Sequence, residues 1–281
     1  MKLKDYRTYF IEKLIPVYDV IEAESFFYIT LEEFKGWRRV DLAMNPEAVL
    51  DGAEIEQWNS VLAQLEQQKP IQYIFNKAYF YGLEFFVNEN TLIPRPETEE
   101  LVEWIINENK VRGKINILDI GTGSGCIAIS LAKNLPDAKV HAIDVSEGAL
   151  SVAKKNAEHN KADVTFWHKN ILETDLLPET FDIIVSNPPY VRNLEKEEIK
   201  KNVLEFEPHL ALFVEDLDPL LFYRKIALLA KGNLPENGKL YFEINQYLGN
   251  ETAEMLEQMG YKQVTLKQDI YGNDRMIFCS I

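Results

Sequence analysis

Asn187, Pro188, Pro189 and Tyr190 follow directly on an apolar run, residues 181–186, that has the character of a buried strand. A strand cannot carry its ladder through two prolines, because neither donates a backbone N–H and each restrains the residue before it. The four residues are therefore expected at a strand tip. There the carboxamide of Asn187 and the carbonyl of Pro188 are two acceptors for the hydrogens of a planar –NH2 group. Tyr190 adds a flat face against which that group can pack. A plain proline turn after a strand is the competing reading, and the tetrapeptide alone does not separate the two.

A second group of residues has its own chemistry. Gly121, Thr122, Gly123, Ser124 and Gly125 lie where a strand at residues 115–119 meets a helix at 126–133. Glycines at such a turn let the backbone bend tightly and approach a ligand that a Cβ would exclude. Asp144 ends the next strand, where a carboxylate can accept both hydroxyls of a ribose. The spacing is G-x-G-x-G, not the G-x-G-x-x-G of nicotinamide and flavin loops, and it resembles the loop that binds S-adenosylmethionine. A glycine turn can also serve connectivity alone; with Asp144 the pair points to a nucleoside-containing cofactor.

The elements that must position these groups follow a regular order. Residues 1–70 show apolar spacings of three and four, almost no glycine and no alternation, which predicts a small helical domain with a helix start at Asn45-Pro46-Glu47. Residues 71–93 turn aromatic and β-branched around Gly82, a hairpin-like linker. From residue 94 to 281 strands alternate with helices. Strands are expected at 115–119, 139–144, 164–167, 181–186, 239–245, 263–267 and 275–280, and helices at 97–107, 126–133, 147–159, 218–231 and 247–259. That order predicts an α/β fold with a doubly wound, mostly parallel, seven-stranded sheet. The last two strands, with no helix between them, predict one antiparallel strand at the end of the sheet. In such a sheet a ligand lies at the carboxyl ends of the strands, where the winding reverses. Glycine loop and Asn187 tip meet there if their strands are neighbours.

The net charge of −15 has no Lys/Arg cluster to set against it, which disfavours binding to a nucleic-acid backbone and favours a protein partner. No apolar stretch approaches the length of a membrane span, and the N-terminus has no leader-like run. With two cysteines in a chain of 281 residues, a reducing, cytoplasmic setting is expected.

Taken together, these motifs resemble the family of release-factor glutamine N5-methyltransferases, also called HemK or PrmC, over essentially the whole chain. Its linker is matched by Leu92 to Glu99 (LIPRPETE), preceded by Pro70 to Tyr73. The later matches are Asp119 to Gly125, Asp144, Asn187 to Tyr190, Phe206 to Pro208 with Ala211 and Leu212, and Tyr271 to Arg275. The resemblance implies a Rossmann-like, class I S-adenosylmethionine methyltransferase domain, with S-adenosylhomocysteine as product. Its substrate would be the glutamine of the Gly-Gly-Gln loop of peptide chain release factors, so that it acts in translation termination. Gly121 to Gly125 would contact the methionine portion and Asp144 the ribose. Asn170 and Ile171 would stand near the adenine, where relatives usually carry an acidic and an aromatic residue. Asn187, Pro188 and Tyr190 would carry catalysis, with Pro189 on the substrate side. Independently of the resemblance, Arg95 and Glu97 on the proline loop read either as shaping the mouth of the substrate pocket or, equally, as a salt-bridged linker. No metal, membrane or direct nucleic-acid partner is implied, and a monomer is expected.

Two rivals use the same residues. A DNA or RNA amino-methyltransferase would present the tetrapeptide to a flipped base, but it calls for a basic groove. A non-catalytic nucleotide-binding adaptor would bind cofactor and transfer nothing. Cys126 reads as a packed side chain, the four histidines lack metal-ligand spacing, and Glu205 to Glu207 read as a solvated helix end in preference to a lining of the site entrance.

Overall fold

The computed structural model describes residues 1–281. They form two compact units, one of residues 1–76 with 201–206 and one of residues 77–200 with 207–281. The first holds α1 (Leu3–Leu14), α2 (Val20–Lys35), α3 (Arg39–Met44), α4 (Gly52–Glu66) and α5 (Ile71–Phe75). Phe10, Phe27 and Trp58 are buried at its centre, with the Phe27 and Trp58 rings 5.2 Å apart. The expected helix start at Asn45 is not used: Asn45 instead donates its Nδ2 to the carbonyl of Asp41 and closes α3. Helix α4 starts after Asp51, whose carboxylate accepts from Glu54 N while Glu54 accepts from Asp51 N. That reciprocal capping box satisfies two orphan donors and outcompetes a lone Asn-Pro start. Residues 71–75, expected in the hairpin, are likewise helical.

The second unit opens with an antiparallel hairpin, β1 (Lys77–Phe80) and β2 (Leu83–Phe86), turned at Tyr81-Gly82. Helix α6 (Pro96–Asn109) follows, with Pro96 in its first turn, where the missing N–H costs nothing. Then come β3 (Asn116–Ile120), α7 (Cys126–Asn134), β4 (Lys139–Asp144), α8 (Glu147–Asn160), β5 (Val164–His168) and β6 (Ile183–Ser186). After β7 (Val191–Arg192), α9 (Lys201–Phe206) belongs to the first unit. The chain continues through α10 (His209–Leu212), β8 (Phe213–Val214), α11 (Leu221–Asn233), β9 (Lys239–Glu243), α12 (Gly249–Gln258), β10 (Lys262–Gln268) and β11 (Asp274–Ser280).

Seven strands make one sheet in the order β10-β11-β9-β6-β3-β4-β5. Alternate residues feed opposite faces: Ile183, Val185 and Tyr241 pack with α6 and α7, while Ile184, Leu240 and Phe242 pack with α11 and α12. Strands buried on both faces read as continuous apolar runs, which is why β6 and β9 were recognisable. The antiparallel strand is β11, and it lies between β9 and β10 rather than at the sheet edge. The winding runs from β3 to β4 and β5, then returns to β6 on the other side of β3, with which β6 pairs in parallel. The switch point is therefore between β3 and β6. β7 and β8 form a two-residue parallel ladder that the sequence pattern did not announce.

Candidate active site

The glycine loop leaves the carboxyl end of β3 with Gly121, Gly123 and Gly125 all at positive φ, between 55° and 83°. L side chains are strained there, so glycine is required. A Cβ on Gly123 would point into open space, and one on Gly121 would meet nothing nearer than the Asn187 carbonyl at 4.0 Å. Gly121 borders a cleft. Gly125 serves packing instead: a Cβ there would come within 2.9 Å of Ile129 Cδ1 and 3.2 Å of Ala153 Cβ.

Asp144, at the end of β4, holds the loop. Its Oδ2 accepts from Gly123 N at 2.8 Å and its Oδ1 from Ser146 N at 2.9 Å. Burial pushes this carboxyl up from its ordinary value, and the backbone donors draw it partly back. Thr122 turns inward and donates to Asp119 Oδ2 at 2.6 Å, so that side chain braces the loop. Asp119 is fully buried at the base of the loop, and burial raises its carboxyl to about 7.

The cleft, of about 190 Å³, opens at this point. Its lining includes Gly121, Ile143, Asp144, Asn170, Ile171, Asn187, Pro188, Pro189, Phe222 and Ile226. Asn170 caps a short 3-10 turn at Ile171–Glu173, its Oδ1 accepting from Leu172 N at 3.1 Å. Ile171 is almost wholly buried and offers an apolar wall. Apolar walls with one carboxylate at the rim suit a flat base carrying a hydroxylated sugar.

Beside it is a smaller cavity of about 160 Å³, lined by Leu92, Arg95, Asn187, Tyr190, Val191, Ala211 and Leu212. Asn187 and Ala211 border both spaces. The structure thus gathers Gly121, Asp144, Asn170, Ile171, Asn187, Pro188 and Pro189 around one cleft, and Asn187, Tyr190 and Arg95 around its neighbour. Thr122, Gly123, Ser124 and Gly125 line neither. Glu97 is apart from both, in a groove with Tyr81, Glu99, Glu100, Glu103 and Tyr271. It sits in the first turn of α6, and that turn carries it away from Arg95.

Three residues have roles that the sequence reading did not assign. Glu207 is not a solvated helix end: it is 4% exposed, accepts from Arg95 Nη2 at 2.6 Å and from Ile93 N at 3.1 Å, and fastens the proline loop. Glu243, at the end of β9, is 1% exposed and accepts from Thr98 Oγ1 at 2.6 Å and Tyr190 Oη at 3.1 Å. Thr98, equally buried, also receives Asn187 Nδ2 at 3.4 Å. A glutamate inside the apolar run 240–244 was a usable clue, since buried carboxylates are almost always partnered. Cys126 does pack as expected, its thiol pushed up to about 12 by burial.

A glycine loop and an acidic strand end at the switch point of a Rossmann-like sheet define the fold of the class I methyltransferases. In agreement, a methyltransferase from Pyrococcus furiosus superposes on 77% of this chain and 98% of its own with a TM-score of 0.54 at 21% identity. The family models "Methyltransferase small domain" and "PrmC N-terminal domain" match residues 98–208 and 19–75. The release factor glutamine methyltransferase of Flavobacterium psychrophilum is 65% identical over 99% of this chain and 98% of its own length. That of Bacteroides thetaiotaomicron is 46% identical over 96% of each. The chain belongs to the release factor glutamine methyltransferase family.

Proposed function

We propose that this protein transfers a methyl group from S-adenosylmethionine to the side-chain N5 of the glutamine in the Gly-Gly-Gln loop of peptide chain release factors. The observation that carries the reading is the double exposure of Asn187, which borders both the Asp144 cleft and the Tyr190 cavity. Family membership supplies the substrate class.

The open space at Gly121 and Gly123, the apolar walls and the Asp144 carboxylate fit the cofactor. Asp144 would take the ribose hydroxyls, Ile143, Ile171 and Phe222 the faces of the adenine, and Asn170 its edge. When bound, S-adenosylmethionine supplies an electrophilic methyl on a sulfonium. The chain's own residues do the rest. An amide nitrogen is a poor nucleophile because its lone pair is delocalised into the carbonyl. Asn187 Oδ1 and the Pro188 carbonyl would accept the two amide hydrogens and aim the nitrogen at the cleft, while Tyr190 packs on the amide plane. The gain comes from alignment and from acceptors facing a nitrogen that becomes positive. No carboxylate or histidine lines the Tyr190 cavity, so the proton leaves to water after transfer.

The protein, S-adenosylmethionine and a release factor, followed by peptide mapping in a mass spectrometer, test the reading. One methyl on the Gly-Gly-Gln glutamine is expected. Asn187→Ala should abolish it while cofactor binding by calorimetry weakens far less. Transfer to oligonucleotides, or to nothing, would overturn the proposal.

A further inference from the structure

Asn187 can serve only if its carboxamide points the right way. The oxygen must face the substrate's –NH2, because an amide turned by half a rotation would set its own N–H groups against the substrate's. No protein donor meets Asn187 Oδ1; the side chain's one internal bond is from Nδ2 to Thr98 Oγ1. At 3.4 Å that bond alone does not determine the orientation.

The proton count along the chain of hydrogen bonds does determine it. An ionised carboxylate accepts and never donates. With Glu243 ionised, its Oε2, 2.6 Å from Thr98 Oγ1, takes the single hydroxyl proton of Thr98. Thr98 Oγ1 then has only lone pairs left for Asn187, and the group facing it must be the NH2. The other oxygen, Oε1, takes the Tyr190 hydroxyl at 3.1 Å. One carboxylate therefore orients both Asn187 and Tyr190, two of the side chains that border the Tyr190 cavity. Glu243 is held in turn by its strand, whose carbonyl at that residue accepts the Tyr223 hydroxyl at 3.3 Å. Burial pushes the Glu243 carboxyl up from its ordinary value, and the Thr98 hydroxyl, the Arg275 charge and the Tyr190 hydroxyl draw it back toward the anion.

We infer that Glu243, acting through the Thr98 hydroxyl, is the positioning residue that sets the Asn187 carboxamide with its oxygen toward the substrate. The inference rests on the glutamine-methylation reading, and it gives Thr98 of the LIPRPETE segment a specific task. A glutamine at 243 would have one acceptor where the carboxylate has two, so it must lose or reverse either the Thr98 or the Tyr190 link.

Thr98→Val keeps the shape and removes the hydroxyl; Thr98→Ser restores it. With a release factor as substrate, Thr98→Val should lower kcat about ten- to hundred-fold, the scale of a mispositioned reacting group. Affinity for S-adenosylhomocysteine by calorimetry should change by no more than about two-fold. Thr98→Ser should recover most of the lost rate. Glu243→Gln should resemble Thr98→Val, and the double variant should lose much less than the product of the two single losses. An independent readout is the side-chain amide resonance of Asn187 in the protein without substrate, identified by its disappearance in Asn187→Asp. It should shift in Thr98→Val and return in Thr98→Ser. A Thr98→Val enzyme with wild-type kcat, equal losses in the valine and serine variants, or an unmoved resonance would each overturn the inference. Should Glu243→Gln fail to fold, the Thr98 pair decides alone. Wild-type protein that methylates no glutamine would instead sink the functional reading, while the resonance still decides the hydrogen-bond chain.

Discussion

The Arg95–Glu207 pair joins the proline loop to the segment after α9, and its strength can be worked from its geometry. Glu207 is buried to 1% of its side-chain surface and Arg95 is 31% exposed, with Nη2 and Oε1 2.6 Å apart. Removing one partner of a buried pair costs about 3–5 kcal/mol, because the remaining charge is left desolvated. In Arg95→Ala the stranded charge would be the buried Glu207, but the space vacated by a partly exposed side chain admits water. The cost is therefore expected at about 2–3 kcal/mol. Glu207→Ala lets Arg95 swing into solvent but leaves Ile93 N without its acceptor, for about 1–3 kcal/mol. The double variant strands no buried charge, so a cycle of urea unfolding measurements should return a coupling of about 1–3 kcal/mol. Because Arg95 also lines the Tyr190 cavity, each single variant should raise KM for the release factor with cofactor affinity little changed. A coupling below about 0.5 kcal/mol would refute the claim that this pair fastens the loop.

Three further outcomes are expected. Gly125→Ala places a side chain at φ 83° and against Ile129 and Ala153, so left-handed strain and overpacking together should destabilise by about 2–5 kcal/mol; unchanged urea unfolding would contradict the packing. Asp144→Ala removes a charged acceptor from the cleft and from Gly123 N, and calorimetry should show S-adenosylmethionine affinity lower by about a hundred-fold. Asp119 titrates near 7 when folded against 3.8 when unfolded, so the native state holds the extra proton across that window. Its contribution is fully present below the unfolded value and is lost as pH rises through 7. Asp119→Asn stays neutral, so relative to wild type it should gain a few kcal/mol (~2–4) between pH 5 and pH 8 in urea titrations, and a pH-independent difference would count against the raised value.

Much of the fold was readable because its rules are local. Strands β3, β4, β6 and β9 are apolar runs of strand length, and α7 and α8 have helical spacing between glycine and capping signals. The misreadings were also local in kind. Asn45-Pro46 looks like a helix start until the stronger Asp51–Glu54 box is seen to act six residues later. Glu207 looks solvated because the residues around it in sequence are polar, while its partners, Arg95 and Ile93, lie more than a hundred positions away.

The sequence by itself determined the strand tip at Asn187 to Tyr190, the glycine turn, and the carboxylate closing β4. Two prolines, three positive-φ glycines and one acid at a strand end act through short-range sterics and hydrogen bonding. Tertiary structure alone decided that these pieces meet, through the parallel pairing of β3 with β6 at the switch point. It alone brought Glu243 and Thr98, 145 residues apart, within 2.6 Å behind Asn187. Which way a carboxamide faces depends on where the neighbouring protons go, and that count exists only once distant segments share a buried, water-excluded space.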